Sequence, residues 1–329
     1  MFNSSFAREL PDYLELRTAV LSASSASNDR RVLLLLDQYL VLSGFQGKEL
    51  TEDILSAWSK TLSGKSKTVK EKLGVVRGFG KYLNTLGHQS FLPTLPKVKS
   101  DYIPYIFSDE EIVSIFHYAD NLTPQNPRSC SSFFQLKIPM ALRILYSCGT
   151  RLQETMSLQR KDVDFKNRTL FLKKTKFSKE RVIPVHESLI AVMERYCLTL
   201  GIMHEPEAFL FPGRKEGSHY TTRQMDSWFS EILKLADIDQ RERDCHERGA
   251  CLHCFRHLFV LKSMQQLEAA GHSVDMNDLL LPTYLGHECL LDTDKYMRFS
   301  GGQVAGAIEA FESFTSGLIP DVEVPYEEE

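Results

Sequence analysis

The sequence has no apolar run long enough to cross a bilayer. Its longest candidate near the N-terminus, 32–45, is interrupted by Asp37 and Gln38, and a membrane helix needs about 20 largely apolar residues. Residues 1–17 carry Glu9, Asp12 and Glu15 and lack a basic stretch followed by an apolar one, which argues against a signal peptide. The expectation is a cytoplasmic protein with no membrane partner. Low-complexity tracts are missing, as is any repeat with a period of about 20–50 residues, which excludes solenoids and propellers. Cysteine is sparse and odd in number, seven in 329 residues, so no disulfide framework is expected. Cys130, Cys148, Cys197 and Cys289 stand among apolar neighbours and read as small core residues.

A large excess of one charge is also lacking, since the net charge is −4. The distribution matters more than the sum. Residues 1–107 hold 14 Lys+Arg against 10 Asp+Glu, whereas 108–329 hold 25 against 33. Five of those acids, Asp321, Glu323, Glu327, Glu328 and Glu329, lie in the last twelve residues. The first part is therefore mildly basic and the acidity is partly a tail. Local patches rather than net charge decide binding to a polyanion, so a nucleic-acid-binding face stays open.

What is present is mostly helical periodicity, in a chain long enough for two domains. A short helix is expected around Tyr13–Ser22. From Asn28 the residues Val32, Leu35, Leu36, Tyr39, Leu40 and Leu42 share a broad face, widened by Leu33 and Leu34, with a stop at Gly44. Thr51 is placed to cap a helix running to about Leu62. A basic turn, 63–68, feeds a helix with Val69, Leu73, Val76, Phe79 and Leu83 inward and Lys70, Lys72, Arg77 and Lys81 elsewhere. Its glycines, Gly74, Gly78 and Gly80, would let a partner approach. Residues 1–91 thus read as a helical bundle with a basic edge, and 92–107, with Pro93, Pro96 and Pro104, as an extended linker. Ser108-Asp109-Glu110-Glu111 is a capping box opening a helix to about Asn121 and a second domain over 108–317.

In that domain a helix over 129–148 should kink or restart at Pro139, and a short helix follows at Leu152–Leu158. Strands are expected at Asp162–Phe165, Thr169–Lys173 and Glu180–Val185, with Lys174–Lys179 as the turn between the last two. Helices at His186–Leu198, Arg223–Ala236, Cys254–Ala270, Asn277–Leu285, Leu290–Arg298 and Gly302–Phe314 complete it, ahead of an acidic tail over 318–329. The fold class is mainly α with a small β-sheet.

Five short motifs carry the chemistry. They are Gly149-Thr150-Arg151-Leu152-Gln153-Glu154, the hairpin from Lys176 to Pro184, His253-x-x-Arg256-His257, Leu285-Gly286-His287, and Tyr296 nine residues beyond His287. Their order and spacing resemble the tyrosine recombinases, the phage integrase family, over roughly 108–300. The resemblance implies a helical, SAM-like core-binding domain followed by an α+β catalytic domain. It also implies site-specific breakage and rejoining of double-stranded DNA through a 3′-phosphotyrosyl intermediate, without ATP, metal or other cofactor.

The residue types suit that task. Arg151 and Arg256 can meet non-bridging phosphate oxygens with paired donors, although Arg151 at a helix start could instead pair with Glu154. His253 can accept the tyrosine's proton or bind phosphate, and His287 can donate to a non-bridging oxygen. By resemblance Lys176 is the general acid for the departing 5′-hydroxyl, although Lys174 and Lys179 compete and the family's flanking glycines are replaced by Thr175 and Phe177. Tyr296 is the nucleophile, and with a phenol pKa near ~10 it needs a base or nearby positive charge. His257 is expected to point elsewhere on its helix as a structural residue, and Tyr284 is a core tyrosine.

Cys245-His246-x4-Cys251-x-His253-Cys254 has zinc-type ligands, but no second pair at standard spacing completes the frame. No metal is expected, and the thiols are incidental or readily oxidised. As partners the family implies double-stranded DNA and a tetramer of this chain on two sites, with an accessory directionality factor as a further candidate. The departures in the hairpin and the Cys/His loop favour an integrase or transposase of a mobile element. The alternatives are an Xer-like housekeeping recombinase, a type IB topoisomerase-like or telomere-resolving enzyme, and a catalytically dead DNA-binding architectural protein. The stripe Val304, Ala305, Ala307, Ile308, Phe311 and Phe314 is expected to dock on a neighbouring protomer.

Overall fold

A computed structural model of the chain describes residues 2–98, 104–123, 133–173, 180–241, 249–269 and 281–286. The chain divides into two compact units, Met1–Tyr102 and Ile103–Glu329.

The first unit holds α1 (Glu9–Val20), α2 (Ala23–Leu42), α3 (Glu52–Thr61) and α4 (Ser66–Thr85). Helix α2 starts five residues before the apolar periodicity does, because the Ser22 hydroxyl caps it by accepting from the Ser25 amide. Thr51 caps α3 in the same way through Ile54. Val32, Leu33, Leu36 and Leu40 of α2 meet Leu73, Val76, Phe79 and Leu83 of α4 in one core with Trp58. Leu35, placed on that face by periodicity, is 41% exposed. Asp37, the acid that breaks the apolar run, is buried and accepts from the amides of Asn3 and Ser4, each at 2.9 Å. A buried carboxylate is tolerable only when hydrogen-bonded in this way.

Two of the three glycines of α4, Gly78 and Gly80, serve the unit itself rather than an incoming partner. A Cβ on Gly78 would stand 2.5 Å from the Tyr13 hydroxyl, and one on Gly80 3.1 Å from Leu92, while Gly74 alone faces open space. Two of the basic residues are also tied locally. Arg77 donates to the carbonyls of Leu92 and Pro93, and Lys72 to that of Ser63. The stretch expected to be a linker is pinned at both ends. Phe91 and Leu95 pack on the first core, and Tyr105, Ile106 and Phe107 pack in the second.

The second unit is built around α6 (Phe134–Cys148), which packs against α5 (Asp109–Asp120), α7 (Leu152–Met156), α8 (Glu187–Thr199) and α10 (His253–Ala269). Its long run of buried side chains, from Ile138 to Leu142 and from Ile144 to Leu145, is that of a helix covered on most sides. Helix α6 does not restart at Pro139. The proline deprives the Gln135 carbonyl of its helical donor, and Gln135 lies on the exposed side, where water can replace it. Helix α5 opens with the expected capping box, Ser108 accepting from the Glu111 amide and Glu111 accepting from the Ser108 amide. Helix α9 (Thr222–Leu235) lies against α5 and α7.

The sheet is antiparallel, in the order β1 (Val163–Asp164), β2 (Thr169–Leu172), β3 (Arg181–Pro184). Leu170 pairs with Ile183 and both are fully buried, whereas Val182, on the other face, is 60% exposed. This is the alternation expected of a sheet covered on one face. The described part is thus mainly α with a small three-stranded sheet. No described helix is long and apolar enough to cross a membrane. The expected turn 174–179, the helices from 290 onward and the acidic tail lie outside the described residues.

Candidate active site

Helix α6 ends at Gly149, whose backbone is left-handed (φ 56°) and whose amide still bonds the Leu145 carbonyl. Glycine is required here twice over. A side chain strains that backbone conformation, and a Cβ would stand 2.4 Å from the Phe259 ring. The turn delivers Thr150, buried with its hydroxyl 2.7 Å from that of Thr155, and then Arg151 at the head of α7.

Arg151 and Glu154 close on each other. The Arg151 amide donates to Glu154 Oε2 at 3.0 Å and its Nη1 to Oε1 at 2.7 Å. The competing structural pairing is therefore formed, yet the arginine side chain remains 26% exposed. Glu154 is also gripped from the sheet. Arg181, on β3, donates from Nη2 to Oε2 at 2.9 Å and from Nη1 to Oε1 at 3.2 Å. Burial alone would raise the carboxyl's pKa, but the hydrogen bonds and charges of Arg181 and Arg151 hold it below the ordinary carboxylate value. The third donor of Arg181, Nε, bonds the Tyr284 carbonyl at 2.9 Å.

Arg256, on α10, is 1% exposed and bridges two segments: Nη1 donates to the Gly149 carbonyl at 2.8 Å and Nη2 to the Leu285 carbonyl at 2.9 Å. A guanidinium has five N–H donors in a fixed plane, so these two bonds set the orientation of the group. Gly286, at φ 68°, lets the chain pass close by, since a Cβ there would lie 3.1 Å from Arg181 Nη1. Four pieces of chain remote in sequence (149–154, Arg181, the start of α10, and 284–286) are thereby tied to one another.

His253 opens α10 with its side chain exposed. The expectation that His257 points elsewhere is corrected by the structure. Four residues on, it lies one turn along the same face, and the two rings stand 4.8 Å apart and perpendicular. His257 is buried. Burial, with the nearby His253 and Arg256 charges, lowers its pKa to about 3, so it is a neutral imidazole at neutral pH. Tyr284 is a core residue, stacked on Phe259 at 5.4 Å, and burial raises its phenol pKa.

Of the six residues singled out, Arg151, His253 and Arg256 are described: the Arg256–Gly149 bond ties the segments of the two arginines, and His253 stands three residues before Arg256 on α10. Lys176, His287 and Tyr296 lie outside the described residues, although the ends of their segments are fixed by the Leu172–Arg181 pair and by Gly286. Sequence reasoning gave Arg181 no role. The signal available was an arginine in the same motif as Lys176 and a carboxylate, Glu154, with two candidate cations. Cys251 and Cys254 bring their sulfurs to 3.6 Å. No group of three potential metal ligands occurs among the described residues, and Cys245 and His246 lie outside them.

A small antiparallel sheet beside a helical core is the catalytic-domain architecture of the tyrosine recombinases. The XerH site-specific recombinase, solved in a post-cleavage complex with a palindromic difH substrate, superposes with a TM-score of 0.66 at 18% identity, covering 88% of this chain and 80% of that one. The Tn1549 transposon integrase, solved with a circular intermediate DNA, gives 0.62 at 17% identity, with 89% and 94% covered. In sequence, the putative integrase/recombinase y4rE of Sinorhizobium fredii is 28% identical over 244 residues, 72% of this chain and 74% of its own. The tyrosine recombinase XerC of Staphylococcus saprophyticus is 28% identical over 276 residues, 83% of either chain. The sequence profile of the phage integrase family matches residues 106–299. The chain belongs to the phage integrase family, the tyrosine recombinases, enzymes of site-specific DNA cleavage and rejoining.

Proposed function

We propose that this recombinase cleaves duplex DNA with Tyr296 and rejoins it through a 3′-phosphotyrosyl intermediate. The Tyr296 phenolate oxygen forms a bond to phosphorus, the bond from phosphorus to the 5′ oxygen breaks, and Lys176 supplies the proton to the leaving hydroxyl. Arg151 and Arg256, with His287, hold the charge that gathers on the non-bridging oxygens, and His253 accepts the phenol proton. The observation that carries this reading is the bond from Arg256 to the Gly149 carbonyl, two residues before Arg151. It ties the two guanidinium-bearing segments together.

The reading extends to a tetramer on two double-stranded DNA sites, in which the C-terminal stripe around Phe311 docks on a neighbour, and to a role in moving a mobile element. The likeness to y4rE and to the Tn1549 transposon integrase supports the latter, and the likeness to XerC is the argument for a housekeeping role.

A suicide substrate nicked beside the cleavage point tests the chemistry. The parent should accumulate a covalent protein–DNA species through its tyrosine, and Tyr296→Phe none. Equal trapping by the two proteins refutes the nucleophile assignment. Binding-site selection from genomic fragments tests the role. Recovery of the two ends of one element supports mobility, and a single chromosomal site refutes it.

A further inference from the structure

The pair Cys251-x-x-Cys254 takes no part in that chemistry, yet it is built as a reactive site. The Cys254 amide donates to the Cys251 carbonyl at 2.9 Å, the bond that closes a four-residue turn and holds its end Cα atoms under about 7 Å. Disulfides span Cα separations of roughly 4.4–6.8 Å. The sulfurs already stand 3.6 Å apart, so a bond of about 2.05 Å needs only side-chain rotation and a small tightening of the turn. The two cysteines differ in access. Cys254 is fully buried among core residues at the start of α10, whereas Cys251 is part-exposed. The Cys254 thiol is held protonated, first by its hydrogen bond to the Cys251 sulfur and then by burial. One sulfur is thus accessible for attack and the other is positioned behind it to resolve the adduct.

We propose that Cys251 and Cys254 are a redox-active dithiol, a site of reversible disulfide formation with low-molecular-weight disulfides. The Cys251 thiolate attacks one sulfur of the small disulfide and displaces one equivalent of its thiol. The Cys254 sulfur then attacks Cys251 of the mixed disulfide, forming the internal bond and releasing the second equivalent, which takes up the Cys254 proton. The protein loses two electrons and two protons, and the small disulfide gains them. His253 lies inside the closed ring, so oxidation moves the turn that presents it. That consequence for cleavage rests on the recombinase reading, whereas the thiol chemistry does not.

The test uses the full chain. Arg248 and Arg256 are tryptic sites, and the peptide between them carries these two cysteines alone. After equilibration of the native protein with oxidised glutathione, acid quench, alkylation and digestion, this peptide should be lighter by two hydrogens and refuse both alkyl groups. Dithiothreitol should restore both. Cys254→Ser should instead retain one glutathione on Cys251, because the resolving sulfur is gone. Three results overturn the proposal: full alkylation of the peptide after oxidation, a bond from either cysteine to Cys245, or stoichiometric zinc released from the purified protein by a thiol reagent. In a parallel arm, oxidation should lower covalent DNA trapping in the parent and leave Cys251→Ser unaffected. Disulfide formation without any loss of trapping refutes the coupling to His253 while leaving the thiol chemistry intact.

Discussion

Replacing Glu154 by Gln removes a charge but little volume, and its cost follows from the partners. The carboxylate is 4% exposed and receives Arg151 Nη1, the Arg151 amide and both terminal nitrogens of Arg181. An amide offers one oxygen and turns its NH2 donors towards a guanidinium that has only donors. Arg151, 26% exposed, can turn to water, but Arg181 is 12% exposed and keeps its charge in a dry place. Removing one partner of a buried pair costs about 3–5 kcal/mol, and the lower end applies because one guanidinium can escape. In urea that moves the unfolding midpoint down by about 1 M or more, at unchanged slope. Trp228 reports on this unit in a Trp58→Phe background, since the chain has two tryptophans. The double variant Glu154→Gln/Arg181→Met should cost less than the summed singles by about 1 kcal/mol or more, the stranded charge being gone. The acid limb supplies a second check. The folded carboxyl titrates below its ordinary value of 4.5, so its contribution is complete above that pH and is lost as pH falls through the folded value. The gap between parent and Glu154→Gln must therefore close in acid. A variant within about 0.5 kcal/mol of the parent at neutral pH, the scatter of ordinary surface changes, refutes the argument.

Other substitutions probe the remaining ties. His257, with its pKa lowered to about 3, disfavours the folded state once the unfolded imidazole protonates, so stability should decline as pH falls below about 6.5. Chemical denaturation of His257→Phe between pH 7 and pH 5 should show a flatter decline than the parent. Arg256→Lys cannot reach the Gly149 and Leu285 carbonyls together, and orphaning one costs about 1–3 kcal/mol. Suicide-substrate trapping by that variant should fall on the order of 10²-fold, the loss typical of a missing charge-stabilising donor. Gly149→Ala meets a left-handed backbone costing about 1–2 kcal/mol and a ring atom of Phe259 at 2.4 Å. Thermal melting should show it destabilised, with partial recovery on adding Phe259→Ala.

Local order was legible where the deciding interaction is local. The Ser108–Glu111 box, the Thr51 cap and the three strands follow from residues a few positions apart. Two departures have the same origin. The start of α2 was hidden because Ser22 to Ser27 has poor helix propensity, and only the Ser22 cap bond reveals that the serines are helical. Pro139 suggested a break because its effect on a helix depends on where the orphaned Gln135 carbonyl faces, which periodicity does not encode. Gly78 and Gly80 of α4, unlike Gly74, are not open to a partner for a comparable reason. What crowds Gly78 is Tyr13, three helices earlier on α1.

The candidate site divides along the same line. Arg151, His253 and Arg256 stand out in the sequence because their chemistry suits a phosphate and their motifs are local. Arg181 was passed over because its partners are Glu154, 27 residues back, and the Tyr284 carbonyl, 103 residues ahead. Backbone carbonyls do most of the tying: Gly149 and Leu285 for Arg256, Tyr284 for Arg181. A carbonyl is the same acceptor in every residue, so no side-chain pattern announces it. Only glycine leaves a trace, and here it does so twice: at Gly149, where a Cβ would stand 2.4 Å from Phe259, and at Gly286, where the backbone is left-handed and a Cβ would press on Arg181 at 3.1 Å. The two glycines that looked like minor parts of two motifs are therefore the sequence's record of how the arginines are held. On that account a substitution at Gly286 should damage the site through Arg181 rather than through the neighbouring His287.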